Sequence, residues 1–170
     1  WGDLDVLVID APPGTGDEPL AACELTVGKL PRPAGSGPRR GAGIVTTPQG
    51  GAVDDVRRCI TFCREVGMPI HGLVENMSGL VCPECGTRID VFLDGGGRAL
   101  AEEQGIPFLG AVPLDPAVVA SGEKGVPIAI ERGGVDASPT TAAIHLVARA
   151  VLERTGVTRA ADAPSPGAGA

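Results

Sequence analysis

Short apolar runs alternate with amphipathic segments along this chain, and the alternation predicts its secondary structure. Four runs are short, apolar and rich in Val, Ile and Leu, as is typical of strands buried on both faces: Leu4–Ile9, Ala42–Thr46, Ile70–Val74 and Phe108–Val112. Helical patterns lie between and after them. Alternating strands and helices predict right-handed crossover units and a mostly parallel sheet covered on both faces, which is a three-layer α/β fold.

The helical pattern is clearest between the second and third of these runs. Apolar residues recur there in steps of three and four, which places them on one side of a helix: Val53, Val56, Ile60, Cys63 and Val66. Gly67 follows at the position where a helix commonly ends on glycine. Two further helices are predicted over Gly97–Gln104 and Thr140–Arg154.

The composition limits the class of protein. With 170 residues, of which 43% are hydrophobic and 21% charged, the chain fits one soluble globular domain, which we assign to residues 1–155. The net charge of −7 argues against a nucleic-acid partner, which would need a basic patch. No apolar run approaches the roughly 20 residues that cross a bilayer, so we expect no membrane partner either.

Two segments break the alternation of strands and helices. Residues 28–41 are rich in Gly, Pro and Arg, which favours a flexible surface loop inserted in the domain. Residues 156–170 consist mainly of Ala, Gly, Pro and Ser, and we expect this tail to be disordered. The chain begins at Trp1, just before the first predicted strand, which favours the interpretation that it is cut from a longer protein.

The acidic turn after the first predicted strand is one candidate for chemistry. Asp10 is followed by Ala-Pro-Pro-Gly-Thr-Gly, and an acidic residue at the carboxyl end of a parallel strand faces the crevice where such sheets bind ligands. In a nucleotide-hydrolysing fold this residue holds Mg²⁺ through water, and a following glycine offers its N–H to a γ-phosphate. An ordinary turn uses the same residue types, so the spacing alone leaves both interpretations open.

The sequence Cys82-Pro-Glu-Cys85 is the other candidate. Two thiolates at this spacing can chelate one soft metal centre, whereas a tetrahedral metal or a cubane cluster normally takes four protein ligands. The simplest arrangement has two chains that each supply both cysteines at a symmetry axis. The same sequence followed by glycine is also half of a zinc ribbon, so a cluster, zinc or no metal remain possible.

The other cysteines do not offer an equivalent second pair. Cys59 and Cys63 lie on or beside the apolar side of the predicted helix and are expected in the core, and Cys23 is isolated. An odd total of five cysteines, without a secretory signal, favours a reducing compartment over a disulfide framework.

Six sequence blocks carry a resemblance to a known family: VLVIDAPPGTGDE, IVTTPQ, DVRRCITFC, PIHGLVENMSGLVCPEC, GGGRALAE and PFLGAVPLDP. They follow the family's order and cover the chain from about Asp5 to Pro116. The chain resembles the Mrp-type deviant P-loop ATPases, which assemble iron–sulfur clusters in bacteria and in the cytosol. The resemblance implies a P-loop NTPase fold that lacks its N-terminal strand and P-loop here.

The resemblance assigns nucleotide-binding roles to four residues. Asp10 matches the Walker B or switch II aspartate, and Gly14 matches the region that senses the γ-phosphate. Asn76 matches the residue whose amide contacts the adenine edge, and Pro113 matches a backbone contact beside the base. These assignments imply ATP and Mg²⁺ as cofactors. Because the glycine-rich P-loop is missing, we expect this chain alone to bind ATP poorly and to be inactive as an ATPase.

Cys82 and Cys85 match the thiolates that bridge a [4Fe–4S] cluster between two subunits of the family. The implied function is ATP-dependent assembly of [4Fe–4S] clusters and their transfer to apo-proteins. The implied partners are an identical subunit or a paralogous scaffold ATPase, with apo iron–sulfur proteins as recipients, in the cytoplasm. A zinc-bridged dimer with a purely structural role is the alternative.

Overall fold

The computed structural model describes residues 4, 6–26, 40–82, 84–131 and 138–156. Most of the loop predicted over residues 28–41, and the tail predicted over 156–170 apart from its first residue, lie outside the described residues. The described elements, in chain order, are α1 (Asp17–Thr26), β1 (Ala42–Thr46), α2 (Gly50–Glu65), β2 (Ile70–Val81), β3 (Arg88–Ile89), α3 (Gly96–Gln104), β4 (Phe108–Leu114), α4 (Pro116–Glu123), α5 (Ile128–Glu131) and α6 (Pro139–Thr155).

The sheet is mostly parallel and is centred on β2. Both β1 and β4 pair with β2 in parallel, and the short β3 pairs antiparallel with its C-terminal end. Helix α2 connects β1 to β2, and α3 lies between β3 and β4 in the chain. Five consecutive residues of β2, from His71 to Glu75, are buried, as expected for a strand that is covered on both faces. The predicted three-layer α/β class is confirmed.

The main core lies between the sheet and the helices α2 and α3. Its buried members come from β1, β2, α2 and α3: Ile44, Val53, Ile60, Cys63, Leu73, Leu100 and Ala101. Full burial of a side chain such as Leu73, which is 0% exposed, contributes roughly 1.5–3 kcal/mol. Helix α6 packs against β4 and β2. This core fixes α3 against β2, the strand that leads to the candidate metal ligands.

The predicted helices are confirmed with small shifts of their bounds. Helix α2 begins three residues before the first residue of its apolar stripe, and Gly67 follows its end with a positive φ of 67°. The other two predicted helices correspond to α3 and α6. Strand β1 has the predicted bounds, whereas β2 continues seven residues beyond the predicted end at Val74. Among the helices that the structure describes, none has the length and hydropathy needed to cross a bilayer.

The prediction of a buried strand over Leu4–Ile9 is wrong. Residues 4 and 6–10 form no regular secondary structure, and their apolar side chains are exposed, with Val8 at 83%. A strand forms where a neighbouring strand exchanges backbone hydrogen bonds with it. No strand in the described ranges pairs with these residues. Their high β propensity alone therefore does not produce a strand.

Candidate metal centre

A bulge in β2 joins the buried part of the sheet to the candidate metal ligands. The register between β2 and β4 shifts after Asn76, where Met77 and Gly79 have positive φ angles of 57° and 70°. The positive φ of Gly79 accounts for glycine at this position, and a Cβ there would also lie 2.8 Å from Nε of Arg88. The bulge leaves Ser78 buried, at 3% exposed. Bulges of this kind are common beside functional sites, where they redirect side chains.

Residues 82 and 84–86, which we call the hook, follow the end of β2. The hook is closed by two backbone hydrogen bonds, in which the Cys82 N–H donates to the Thr87 carbonyl at 3.0 Å and the Gly86 N–H donates to the Cys82 carbonyl at 2.9 Å. Cys82 is half-buried and Cys85 is exposed, and both are free thiols. The bond from Gly86 to Cys82 closes a turn that contains both cysteines. The structure therefore brings the two predicted metal ligands together.

The Cys85 thiol is more acidic than an ordinary cysteine. Hydrogen bonds to its sulfur from the Thr87 hydroxyl, from the Thr87 backbone and from Cys82 hold the pKa of Cys85 below its usual value. The Thr87 hydroxyl oxygen lies 3.2 Å from the sulfur. Because the thiolate is the form that binds metal, this environment favours metal binding by Cys85.

The substitution Thr87→Val should raise the pKa of Cys85 toward its usual value. It keeps the shape of the side chain but removes the hydroxyl that stabilises the thiolate. We expect alkylation of Cys85 by iodoacetamide, followed by peptide mass spectrometry across a pH series, to shift to higher pH. Thr61→Val is the control, since that hydroxyl donates to the Arg57 carbonyl within α2. An unchanged profile in Thr87→Val would show that the hydroxyl does not set the acidity.

The three remaining cysteines lie away from the hook. As predicted, Cys63 belongs to the core and Cys59 packs against it, and their contact lowers the pKa of Cys59 to about 7 while it raises that of Cys63. Burial raises the pKa of Cys23. Within the ranges described, no three His, Cys, Asp or Glu side chains are placed to share a metal ion. The second knuckle of a zinc ribbon is therefore not found in this part of the chain.

Asn76 and Pro113, the two predicted base contacts, lie side by side. Asn76 is paired in register with Val112, the neighbour of Pro113 in β4. The Asn76 side-chain oxygen accepts a hydrogen bond from the Met77 N–H at 2.9 Å. This contact leaves the amide N–H groups of Asn76 as the part of the side chain suited to an acceptor on a base.

Asp10 and Gly14 are not brought to this edge by any described contact. Both are exposed, and Gly14 has a positive φ of 103°. The next residue, Thr15, lines a surface cavity of about 490 Å³ with residues of α2. Among the described residues, no hydrogen bond or ion pair joins Asp10 or Gly14 to Asn76 or to the hook. Their nucleotide-binding roles stay predictions.

Glu75 is a residue of this region that the sequence analysis missed. Its side chain is 1% exposed, and it accepts hydrogen bonds from Ser78, Gly95 and Gly97. The signal in the sequence was an acidic residue directly after the apolar run of β2, in a strand otherwise buried on both faces. A carboxylate at such a position needs several donors.

Known proteins resemble this chain over most of its length. The model of the NUBPL iron-transfer P-loop NTPase family, in the ParA group, matches residues 1–152. The chain is 46% identical over 155 residues to the cytosolic Fe-S cluster assembly factor NUBP2 of Homo sapiens, a match that covers 91% of this chain and 53% of that protein. It is 51% identical over 125 residues to the NUBP2 homolog of Trichoplax adhaerens, covering 74% and 44%. The chain thus spans about half the length of these relatives.

Solved structures show the same fold. A nucleotide-binding protein from Archaeoglobus fulgidus in complex with ADP matches with a TM-score of 0.59 and 35% identity, over 74% of this chain and 47% of that one. The septum site-determining protein MinD from Pyrococcus horikoshii, at 18% identity and a TM-score of 0.50, covers 69% and 44% and supports the fold alone. Since the family model extends over all the described elements except the end of α6, the chain belongs to the NUBPL iron-transfer family of P-loop NTPases.

Proposed function

We propose that this chain carries an iron–sulfur cluster, held between two subunits by Cys82 and Cys85 of each, and transfers it to apo-proteins. The observation that supports this most directly is the pair of free thiols held in one hydrogen-bonded turn of the hook. No third metal-ligating side chain accompanies them in the described part of the chain. Two thiolates are half of the set that a [4Fe–4S] cluster takes, so the site is incomplete without a second subunit.

The surface around the hook supports an interface between two subunits. Exposed apolar side chains lie on both sides of the hook in the sequence, at 38–68% exposure: Met77, Val81, Ile89, Val91 and Leu93. Apolar surface of this kind marks interaction sites. A second copy, related by a twofold axis, would cover these side chains and add its own two thiolates.

A cluster shared between two chains is suited to transfer. Each chain supplies only two ligands, so separation or rotation of the subunits removes half of the ligand set. The recipients in this proposal are apo iron–sulfur proteins, and the second subunit is an identical chain or a paralogous scaffold ATPase. Because the curated relatives are named cytosolic assembly factors, we place this activity in the cytoplasm.

The nucleotide part of the proposal involves Asn76, Pro113, Asp10 and Gly14. The Asn76 amide N–H groups would donate to the base beside Pro113, while the Asn76 oxygen accepts from the Met77 N–H. Asp10 would hold Mg²⁺ through water, and Gly14 would offer its N–H to the γ-phosphate. Bound ATP supplies the free energy of hydrolysis for a change at the subunit interface. The sequence contains no P-loop motif, so the proposed hydrolysis requires one from outside these residues.

Competitive reconstitution tests the identity of the cargo. The chain is incubated anaerobically with iron and sulfide in the presence of an equal concentration of zinc, and then separated from free metal. We expect a coloured protein with about two irons per chain. A colourless protein that contains zinc would support the structural dimer instead, and a protein without either metal would contradict both functions.

A further inference from the structure

The buried Glu75 carboxylate ties β2 to helix α3. Its Oε1 accepts from the Ser78 hydroxyl at 2.7 Å and from the Gly95 N–H at 3.3 Å, and its Oε2 accepts from the Gly97 N–H at 2.6 Å. The two backbone donors lie at the N-terminus of α3, whose cap residue, Gly95, has no side chain to offer. Negative charge is favoured at this end of a helix, so Glu75 serves as the missing cap.

Ser78 extends this contact to the base of the hook. Its hydroxyl oxygen lies 3.2 Å from Oδ1 of Asp94, and the same Asp94 oxygen accepts from Nη2 of Arg88 at 2.8 Å. Arg88 lies in β3 opposite Val81, the last residue of β2 before the hook. A continuous series of polar contacts therefore runs from the buried carboxylate, through one serine hydroxyl that donates its single proton to one carboxylate at a time, to the strand pair that carries the hook.

We propose that Ser78 is a positioning residue that fixes the hook relative to α3 and to Asn76. The inference rests on the cluster-carrying function proposed above and names a residue that sets the position of the metal ligands at that same site. A hydroxyl has one proton, and here it lies between two carboxylates. Removal of the hydroxyl takes one donor from Glu75 and leaves the Asp94 carboxylate opposite the Glu75 carboxylate. The cost in free energy is larger than the net contribution of one hydrogen bond.

Thiol reactivity in the metal-free chain tests the position of the hook without a cluster. In Ser78→Ala we expect iodoacetamide to alkylate the half-buried Cys82 about tenfold faster, from the loss of one charge-assisted hydrogen bond. Ser121→Ala is the matched control, because Ser121 is also 3% exposed and its hydroxyl donates to the Val126 carbonyl, far along the chain from the hook. Equal acceleration in both variants would indicate general loosening and would overturn the proposal.

A second pair of variants keeps the test valid if Ser78→Ala does not fold. Asp94 and Asp90 both bind Arg88 and both side chains are 53% exposed, but only Asp94 contacts Ser78. Asp94→Ala should accelerate alkylation of Cys82 about fivefold, and Asp90→Ala less than about twofold. Equal rates in the two variants, or no change in Asp94→Ala, would contradict the role of Ser78.

Cluster loss provides the readout for function. In the reconstituted chain, the rate of iron transfer to a ferrous chelator should rise in the same variants, in the same order. A wild-type chain that holds no cluster would contradict the proposed function, while the alkylation rates would still decide whether Ser78 positions the hook. A stable cluster together with unchanged alkylation in Ser78→Ala would overturn the positioning role alone.

Discussion

Replacement of either hook cysteine, as Cys82→Ala or Cys85→Ala, should abolish cluster binding. In a dimer of one variant only two of four thiolates would remain, and the described residues offer no third ligand to substitute for them. After anaerobic reconstitution and gel filtration, we expect iron and acid-labile sulfide to fall to background in both variants. The wild-type chain should retain about two irons.

Cys59→Ala is the matched control for these variants. It also removes one free thiol, but from α2, where Cys59 packs against the core. We expect this variant to keep the full iron content and the same visible spectrum. Cluster retention in either hook variant, or an equal loss in Cys59→Ala, would show that the ligands have been assigned incorrectly.

The substitution Gly96→Ala should destabilise the fold by about 3 kcal/mol, as overpacking against a rigid neighbour does. Gly96 is the first residue of α3, and a Cβ there would collide with the carbonyl oxygen of Pro48 and approach Val53. Pro48 is itself buried and belongs to the connection between β1 and α2, so the obstacle is backbone that cannot rotate away. The midpoint of urea unfolding, with the slope of the transition, measures the effect.

Gly51→Ala provides the comparison at the start of another helix. Gly51 is the second residue of α2, and a Cβ there would meet nothing within 4 Å. Alanine favours the helix and restricts the unfolded chain, so we expect a gain of up to about 1 kcal/mol. Equal unfolding midpoints for the two variants would mean that the N-terminus of α3 is not packed as closely as described.

Periodicity was sufficient for elements whose stability comes from one apolar face. The steps of three and four from Val53 to Val66 predict α2, and Gly67 predicts its end. Some helices that the sequence analysis did not predict also have local sequence signals. Asp115 caps α4 by accepting from the Ala117 N–H at 2.8 Å, with Pro116 at the first helical position. An Asp-Pro pair before an apolar stretch is a recognisable helix start.

Other features depend on contacts that a single segment does not encode. Residues 6–9 have the composition of a buried strand, but the structure gives them no neighbour with which to pair. The extension of β2 through the bulge involves pairing with β3 and a shifted register with β4.

Within the site, the sequence predicted that Cys82 and Cys85 lie close together, because both belong to one short turn. The series of contacts from Glu75 to Arg88 includes the contact of Ser78 with Asp94, which are 16 positions apart, and only the fold reveals it. By contrast, the roles given to Asp10 and Gly14 come from resemblance, and no described contact connects these residues with Asn76.

The mass of the reconstituted chain, measured by anaerobic native mass spectrometry, tests the bridging cluster most directly. We predict a species of two chains that carries one [4Fe–4S] cluster and dissociates into metal-free single chains when iron is chelated. A single chain that holds a complete cluster, or a dimer that persists unchanged without metal while each subunit binds its own iron, would contradict a cluster shared through Cys82 and Cys85.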